Sequence, residues 1–327
     1  MKAVLCKEYG PPETLVVEEL ASRPVGTDEV RVEVHACGVN FPDTLIIQNK
    51  YQFKPPLPFT PGGEIAGEVV EVGSAVSRVA RGDRVIAMVG WGGYADELVV
   101  AAERTMPIPK GMDFVTAAGF TMTYGTSYYA LKQRAVLRPA ETLLVLGAGG
   151  GVGLAAVELG RVMGARVIAA ASSMEKLALC QEYGADATVN YATENLKDRV
   201  KELTDGRGAD VIYDPVGGDY FDQAMRCINW NGRVLVIGFA SGRIPQLPVN
   251  LALLKGCSVV GVFWGAFTAR EPEANAENLA ELGRWVEDGT IKPYVCMTFP
   301  LERVAQALTA IERREARGKI VLTTGRS

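Results

Sequence analysis

The chain has 327 residues, 48% of them apolar and 22% charged, a balance that fits a globular protein with a large core and excludes a disordered one. Its 34 Lys and Arg against 38 Asp and Glu leave a net charge of −4, so the composition supports neither a general nucleic-acid binder nor a membrane-surface binder. At roughly 150 residues per domain, the length suits about two domains.

Only four uncharged residues separate Lys2 from Lys7, so the start of the chain is not expected to act as a signal peptide. No run of about 20 residues is continuously apolar, and no membrane span is expected. Residues 1–120 read as mostly β. Val30, Val32, Val34 and Ala36 alternate with Arg31, Glu33, His35 and Cys37, the period of a half-buried strand with His35 on its polar side. Short strands follow at 69–72, 84–87 and 97–100, punctuated by turns at Gly82-Asp83 and Trp91-Gly92-Gly93. The proline-rich segment 54–63 ahead of them is a loop. From about 140 the rhythm changes. Apolar runs at 143–146, 167–171, 211–213, 234–237 and 258–263, with 187–191 weaker, alternate with helical segments. Strands alternating with helices predict a parallel sheet covered on both faces. Helices near 275–288 and 301–313 and a strand at 319–322 complete the pattern.

The six cysteines are scattered, with no C-x-x-C pair, which argues against a zinc lobe and against a small disulfide scaffold. The expected setting is the reducing cytoplasm.

The segment TLLVLGAGGGVGLAAVELG runs from a buried strand through glycines into a helix. Glycines alone mark many turns; a strand before and a helix after make the signal specific for a dinucleotide. Missing side chains let backbone amides and a helix N-terminus approach a pyrophosphate. The pattern reads Ala148-x-Gly150-x-x-Gly153, with alanine in place of the first glycine, and Gly151 and Val152 complete the cradle. About 20 residues downstream, NAD-preferring sites place a carboxylate for the ribose. Here that position holds Ala169-Ala170-Ala171-Ser172-Ser173, with Lys176 following. Hydroxyls and a cation suit a 2′-phosphate and favour NADPH. The competing reading is a serine-capped helix start beside a solvated lysine.

With these motifs in view the chain resembles the zinc-independent quinone oxidoreductase branch, the zeta-crystallin-like group, of the medium-chain dehydrogenase/reductase superfamily. The resemblance covers nearly the whole chain. It is carried by Gly38-Val39-Asn40-Phe41-Pro42-Asp43-Thr44, Pro61-Gly62-Gly63-Glu64-Ile65-Ala66-Gly67, the glycine turn, Asp214-Pro215-Val216-Gly217-Gly218 and Gly318-Lys319-Ile320-Val321. It implies an α/β fold: a GroES-like β-rich catalytic domain from residues 1–122 and 265–327, and an inserted Rossmann domain, a doubly wound parallel sheet, over 123–264. The cofactor would present its hydride in a cleft between the two.

Zinc-dependent relatives carry cysteine where this chain has Asn40 and histidine where it has Gly63, and they insert a four-cysteine lobe after the position of Trp91-Gly92-Gly93. Catalytic zinc needs about three protein ligands, and Glu64 alone cannot hold the ion. No metal is therefore expected. Charge on a reduced oxygen must then be stabilised by hydrogen bonds, which favours quinones and conjugated enones as acceptors. The resemblance places Asn40 at the reacting centre and beside the cofactor, with an amide to donate. Tyr51 lies where the related enoyl thioester reductases use a tyrosine proton donor; an aromatic wedge in the proline-rich loop is the equal alternative. The resemblance further places Thr123 and Tyr124 at the nicotinamide, Tyr191 at the adenosine phosphate and Phe239, Ala240 and Ser241 at the far ribose. It adds Val262, Phe263 and Trp264 after the last Rossmann strand, and Lys319 in the returning tail. Each aromatic here has core packing as its alternative.

These observations predict an NADPH-dependent, zinc-free oxidoreductase for a small electrophilic substrate. The rival enzyme is an enoyl thioester reductase that uses Tyr51 as its acid. The rival of another class is an NADPH-binding structural or regulatory protein with little turnover. The apolar last strand, 258–264, is expected at a sheet edge, where a second copy would cover it and form a homodimer.

Overall fold

A computed structural model describes residues 1–326. The chain forms two compact units. One contains Met1–Thr121, Val286–Asp288 and the chain from Pro293 onward; the other contains Met122–Trp285 and Gly289–Lys292.

The strands in chain order are β1 (Lys2–Leu5), β2 (Val16–Glu19), β3 (Glu29–Val39), β4 (Glu64–Val72), β5 (Arg84–Met88), β6 (Glu97–Ala101) and β7 (Thr105–Pro107). They continue with β8 (Thr142–Leu146), β9 (Arg166–Ala171), β10 (Ala187–Asn190), β11 (Ala209–Asp214), β12 (Ile228–Val236), β13 (Ser258–Gly261), β14 (Val295–Pro300) and β15 (Lys319–Thr323).

In the first unit, seven strands form a mainly antiparallel sheet in the order β14-β15-β3-β4-β5-β7, with β6 also paired to β3. The central strand β3 takes β4 on one side and β15 on the other, both antiparallel, with Cys37 opposite Ile65 and Val39 opposite Ile320. Antiparallel pairing brings the end of one strand to the start of its neighbour. The end of β3 and the starts of β4 and β15 therefore meet at one corner of the sheet.

The period-two reading of β3 fails in its second half. The pairing of β3 with β4 shifts register between Val34 and Ala36, so His35 occupies a bulge. His35 is buried, not solvated, and its ring stacks on Phe114 at 4.1 Å. Cys37, expected on the same polar face, is also fully buried. The short helix Phe114–Ala118 covers a face that alternation alone assigns to solvent.

In the second unit, six parallel strands lie in the order β10-β9-β8-β11-β12-β13. From β8 the chain builds outward through β9 and β10, then returns to the other side of β8 with β11. The order reverses there, at the place where open parallel sheets bind ligands beyond their carboxyl ends. Every residue of β8 is buried, as its unbroken apolar run requires of a strand covered on both faces.

The return to the first unit comes later than residue 265. The helix Trp264–Arg270 and most of the helix Pro272–Glu287 belong with the parallel sheet. Packing explains this. Trp264 is buried and its indole N–H donates to Asn275 Oδ1 at 3.0 Å. Phe267 stacks on Tyr129 at 4.1 Å, and Trp285 meets Tyr128 edge-on. Apolar surface of this size stays where its partners are. Trp264 lies so close to Gly125 that a Cβ there would come within 2.7 Å of its ring. Trp264→Ala is expected to cost this unit about 3–5 kcal/mol, read as a lowered unfolding midpoint in urea.

Candidate functional site

The glycine turn follows β8 directly. Gly147, with φ of +57°, turns the chain, and Gly150 caps the helix Gly151–Val162 without a side chain to take its first amides. Those amides of Gly151, Val152 and Gly153 are left for an external acceptor, as a pyrophosphate requires. Gly153 has to be glycine because the backbone of Gly147 and Ala148 lies against it, a Cβ coming within 2.8 Å of Ala148 Cα. The helix end is thereby held tight against the turn. The residues present fit a dinucleotide.

At the end of β9, Ser172 is exposed and Ser173 caps the helix Met174–Glu182, accepting from Lys176 N at 3.4 Å. The serine-cap reading thus holds for Ser173, but the lysine is not simply solvated. Its stem crosses the glycine turn, so that a Cβ on Gly149 would meet Lys176 Cγ at 2.8 Å. The lysine stem lies against the glycine turn, and β9 ends without a carboxylate.

Beyond β11, Asp214 Oδ1 accepts from Val216 N and Gly217 N, each at 2.8 Å, and shapes the Pro215–Gly218 turn. Pro215 and Val216 in turn accept from Ala240 N and Ser241 N at 3.0 and 2.9 Å. Phe239, Ala240 and Ser241 are therefore stitched to the same carboxyl edge of the sheet. Tyr191 packs on Tyr220, with ring centroids 4.2 Å apart.

Other expected contacts are committed to the fold. Thr123 is buried. Tyr124 donates to the buried Glu158 Oε2 at 2.6 Å, and burial holds its phenol well above the ordinary value. Trp264 is core. Val262 is buried, whereas Phe263 is 46% exposed.

The first unit holds a separate buried polar cluster at the corner where β3, β4 and β15 meet. Lys319 Nζ donates to Asn40 Oδ1 at 2.5 Å and to Glu64 Oε2 at 3.1 Å. All three side chains are buried. The ammonium has only donors, which fixes the orientation of the Asn40 amide. Asn40 Nδ2 then donates inward, to Gly38 O at 3.3 Å and Glu64 Oε2 at 3.4 Å. The amide expected to reach a substrate is already engaged.

Asn40 is anchored in turn by Asp43, whose Oδ2 accepts both Asn40 N and the Tyr94 hydroxyl at 2.7 Å. Burial pushes the Asp43 carboxyl up to about 6, and the Tyr94 and Asn40 hydrogen bonds oppose that rise. Tyr51 packs against the core of this unit, edge-on to Phe53. Burial, then the Asp43 charge, raises its phenol. Among the described residues no three His, Cys, Asp or Glu side chains gather to hold a metal ion.

Asp43 and Tyr94 are members of this buried cluster that the sequence reading did not single out. The Asn40-x-x-Asp43 spacing ahead of a helix is a capping signal that could have found Asp43. Nothing local marks Tyr94.

The chain matches two family models: the alcohol dehydrogenase GroES-like domain over residues 26–110 and the zinc-binding dehydrogenase over residues 151–281. It is 48% identical over 327 residues to the quinone oxidoreductase-like protein 2 homolog of Nematostella vectensis, covering 99% of this chain and 89% of that protein. To the quinone oxidoreductase of Pseudomonas aeruginosa it is 37% identical, covering 98% and 99%. The crystal structure of the Escherichia coli quinone oxidoreductase complexed with NADPH superposes with a TM-score of 0.93 at 29% identity, covering 99% of this chain and all of that one (100%). No helix among the described residues is long and apolar enough to cross a membrane.

The raised Asp43 carboxyl predicts a pH signature. The folded state holds this proton more tightly than the unfolded chain, whose ordinary value is 3.8. The stabilisation is full below about pH 4 and is lost as pH rises through about 6, a change of about 3 kcal/mol. Asp43→Asn keeps one oxygen to accept both hydrogen bonds and cannot titrate. Unfolding free energies from pH 4 to 7 should fall more steeply for wild type than for this variant; parallel profiles would remove the argument.

Proposed function

Because the chain belongs to the quinone oxidoreductase branch of the medium-chain dehydrogenase/reductase superfamily, we propose that it reduces quinones or conjugated enones with NADPH and no metal ion. The carrying observation is the cofactor cradle at the reversal point of the parallel sheet. Its amides face outward from a helix N-terminus, β9 ends without a carboxylate, and Lys176 lies across the turn. NADPH bound there supplies a hydride. The chain's own residues bind and orient it: Ala148, Gly150, Gly151, Val152 and Gly153 at the pyrophosphate, Ser172, Ser173 and Lys176 at the 2′-phosphate.

The metal-free reading is supported by what surrounds Glu64. Asn40 and Gly63 replace two ligand types, and the remaining carboxylate is paired with Lys319 at 3.1 Å. A site with one single-charged cation suits acceptors whose anions are already stabilised by conjugation. The rival thioester reading depends on Tyr51, whose raised phenol is a weaker acid than an ordinary tyrosine.

A panel of quinones, enones and short enoyl thioesters, assayed with NADPH and with a chelator present throughout, tests the proposal. NADPH oxidation by quinones should exceed that by thioesters, and Tyr51→Phe should keep quinone turnover within about tenfold. A loss of about a hundredfold on thioesters alone, with thioesters preferred by wild type, would put the rival first. Negligible turnover with every acceptor would favour a binding protein. Lys176→Ala should narrow the NADPH-over-NADH preference by one to two orders of magnitude, since a charge-assisted contact contributes about 1.5–3 kcal/mol. Equal wild-type affinity for both cofactors would contradict the assignment.

The edge strand β13 supports a homodimer through the second unit. Among the described residues it pairs only with β12. Arg134 Nε takes the Gly261 carbonyl at 3.0 Å, which leaves Ser258–Val260 as the open stretch. On the nearby helix Val249–Lys255, Val249, Leu253 and Leu254 are all exposed. Covering such an edge with a second copy across a twofold axis removes an aggregation hazard. Sedimentation at micromolar concentration should show a dimer, and Leu253→Glu with Leu254→Glu should shift it to monomer; a monomeric wild type would refute it.

A further inference from the structure

Two turns flank the reversal point of the parallel sheet: the glycine turn after β8 and the Pro215–Gly218 turn after β11. They touch, since a Cβ on Gly147 would meet Val216 Cγ2 at 2.9 Å. The glycine turn engages its own amides, Ala148 N donating to Ala170 O and Gly150 N to Gly147 O, each at 3.0 Å. The free amides that follow belong to the helix Gly151–Val162, and a side chain holds that helix by one of its carbonyls. Ser127, on the helix Thr121–Tyr129, places its Oγ 2.9 Å from Val152 O and 2.9 Å from the Tyr213 hydroxyl. A carbonyl can only accept, so the serine proton goes to Val152 O, and Tyr213 donates to Ser127. Both side chains are fully buried. Tyr213 pairs with Val145 of β8 and directly precedes Asp214, whose carboxylate shapes the second turn. A helical serine commonly turns its hydroxyl back onto its own helix. This one instead completes a directed chain, Tyr213 to Ser127 to Val152, from β11 to the first turn of the cradle helix.

We propose that Ser127, held by Tyr213, is a positioning residue for the cofactor's pyrophosphate. It pins the first turn of the cradle helix to β11 and so sets where the amides of Gly151, Val152 and Gly153 point. The inference rests on the NADPH reading above and involves residues of the second unit alone. Hydrogen bonds from amides to a charged oxygen are short and directional, so a small shift of the helix start weakens all of them at once. Amides set in place before the cofactor arrives also spare the cost of ordering them on binding. Two readouts separate this role from that of a hydroxyl that only fills the core. The pyrophosphate is common to NADPH and NADH, so a misplaced helix weakens both by the same factor, whereas Lys176 acts through the 2′-phosphate. Stability and affinity also separate. Removing one partner of a buried pair strands the other, whereas removing both leaves no hydroxyl stranded.

The test compares wild type, Ser127→Ala, Tyr213→Phe and the double variant. Dissociation constants for NADPH and NADH are measured by fluorescence titration with no acceptor present, and stability by thermal melting without cofactor. Ser127→Ala should bind both cofactors about tenfold more weakly, with their ratio within about twofold of wild type. It should also melt at a lower temperature, because Tyr213 loses its acceptor. Adding Tyr213→Phe should recover most of the melting temperature and none of the affinity. Tyr213→Phe alone leaves Ser127 on Val152 without its own support and should weaken both cofactors about threefold. It carries the test if the other two variants do not fold. Affinities equal to wild type, affinity that recovers together with stability, or a loss confined to NADPH would overturn the inference and leave the reductase reading in place. A wild type that binds neither cofactor would overturn both. One that binds NADPH but passes its hydride to no acceptor would sink the reductase reading alone.

Discussion

A lysine is held inside the first unit by one carboxylate and one amide, and much of that unit's geometry serves this arrangement. Burying an ammonium costs several kcal/mol unless a partner and good hydrogen bonds offset it, and breaking such a pair costs about 3–5 kcal/mol. Lys319 and Glu64 can meet only if β15 and β4 flank β3, because each sits at the first residue of its strand. The ion pair and the sheet order are thus one constraint seen at two scales. A displaced β15 would take the ammonium away from the buried Glu64. Gly119 marks where the lysine stem passes, while Gly38 lies first against the Ala118 carbonyl.

Around this pair lies a second layer of buried polar groups. Asp43 accepts the Asn40 backbone N–H and the Tyr94 hydroxyl on a single oxygen, so the loop after β3 is locked to Tyr94. Gly62, with φ of +92°, accommodates that tyrosine: a Cβ there would press on Tyr94 Cε1 at 2.8 Å. One oxygen that serves two donors leaves little freedom at either, so the geometry of this layer is narrow.

The second unit solves a different problem with different means. Its parallel strands carry few polar side chains, and the chemistry comes from backbone amides exposed where the strand order reverses. Lys176 and the serines at the end of β9 add charge and hydroxyls at the rim.

The glycine turn, its flanking strand and helix, and the missing carboxylate after β9 are local features, separated by about 25 residues at most, and the sequence determined them alone. Apolar runs likewise located most parallel strands, because a strand buried on both faces has nothing but its own residues to identify it. The sequence could not determine burial along β3, where a bulge at His35 and the helix Phe114–Ala118 override alternation. Nor could it decide where the chain returns to the first unit, since Trp264, Phe267 and Trp285 are equally apolar in either place and only their partners choose. Asn40 and Lys319 were both legible as site residues, separately. That the lysine engages the asparagine's oxygen, and turns its amide inward, follows from a strand pairing between residues some 280 positions apart. Local spacing carries no information about that pairing; only the folded sheet brings the two side chains together.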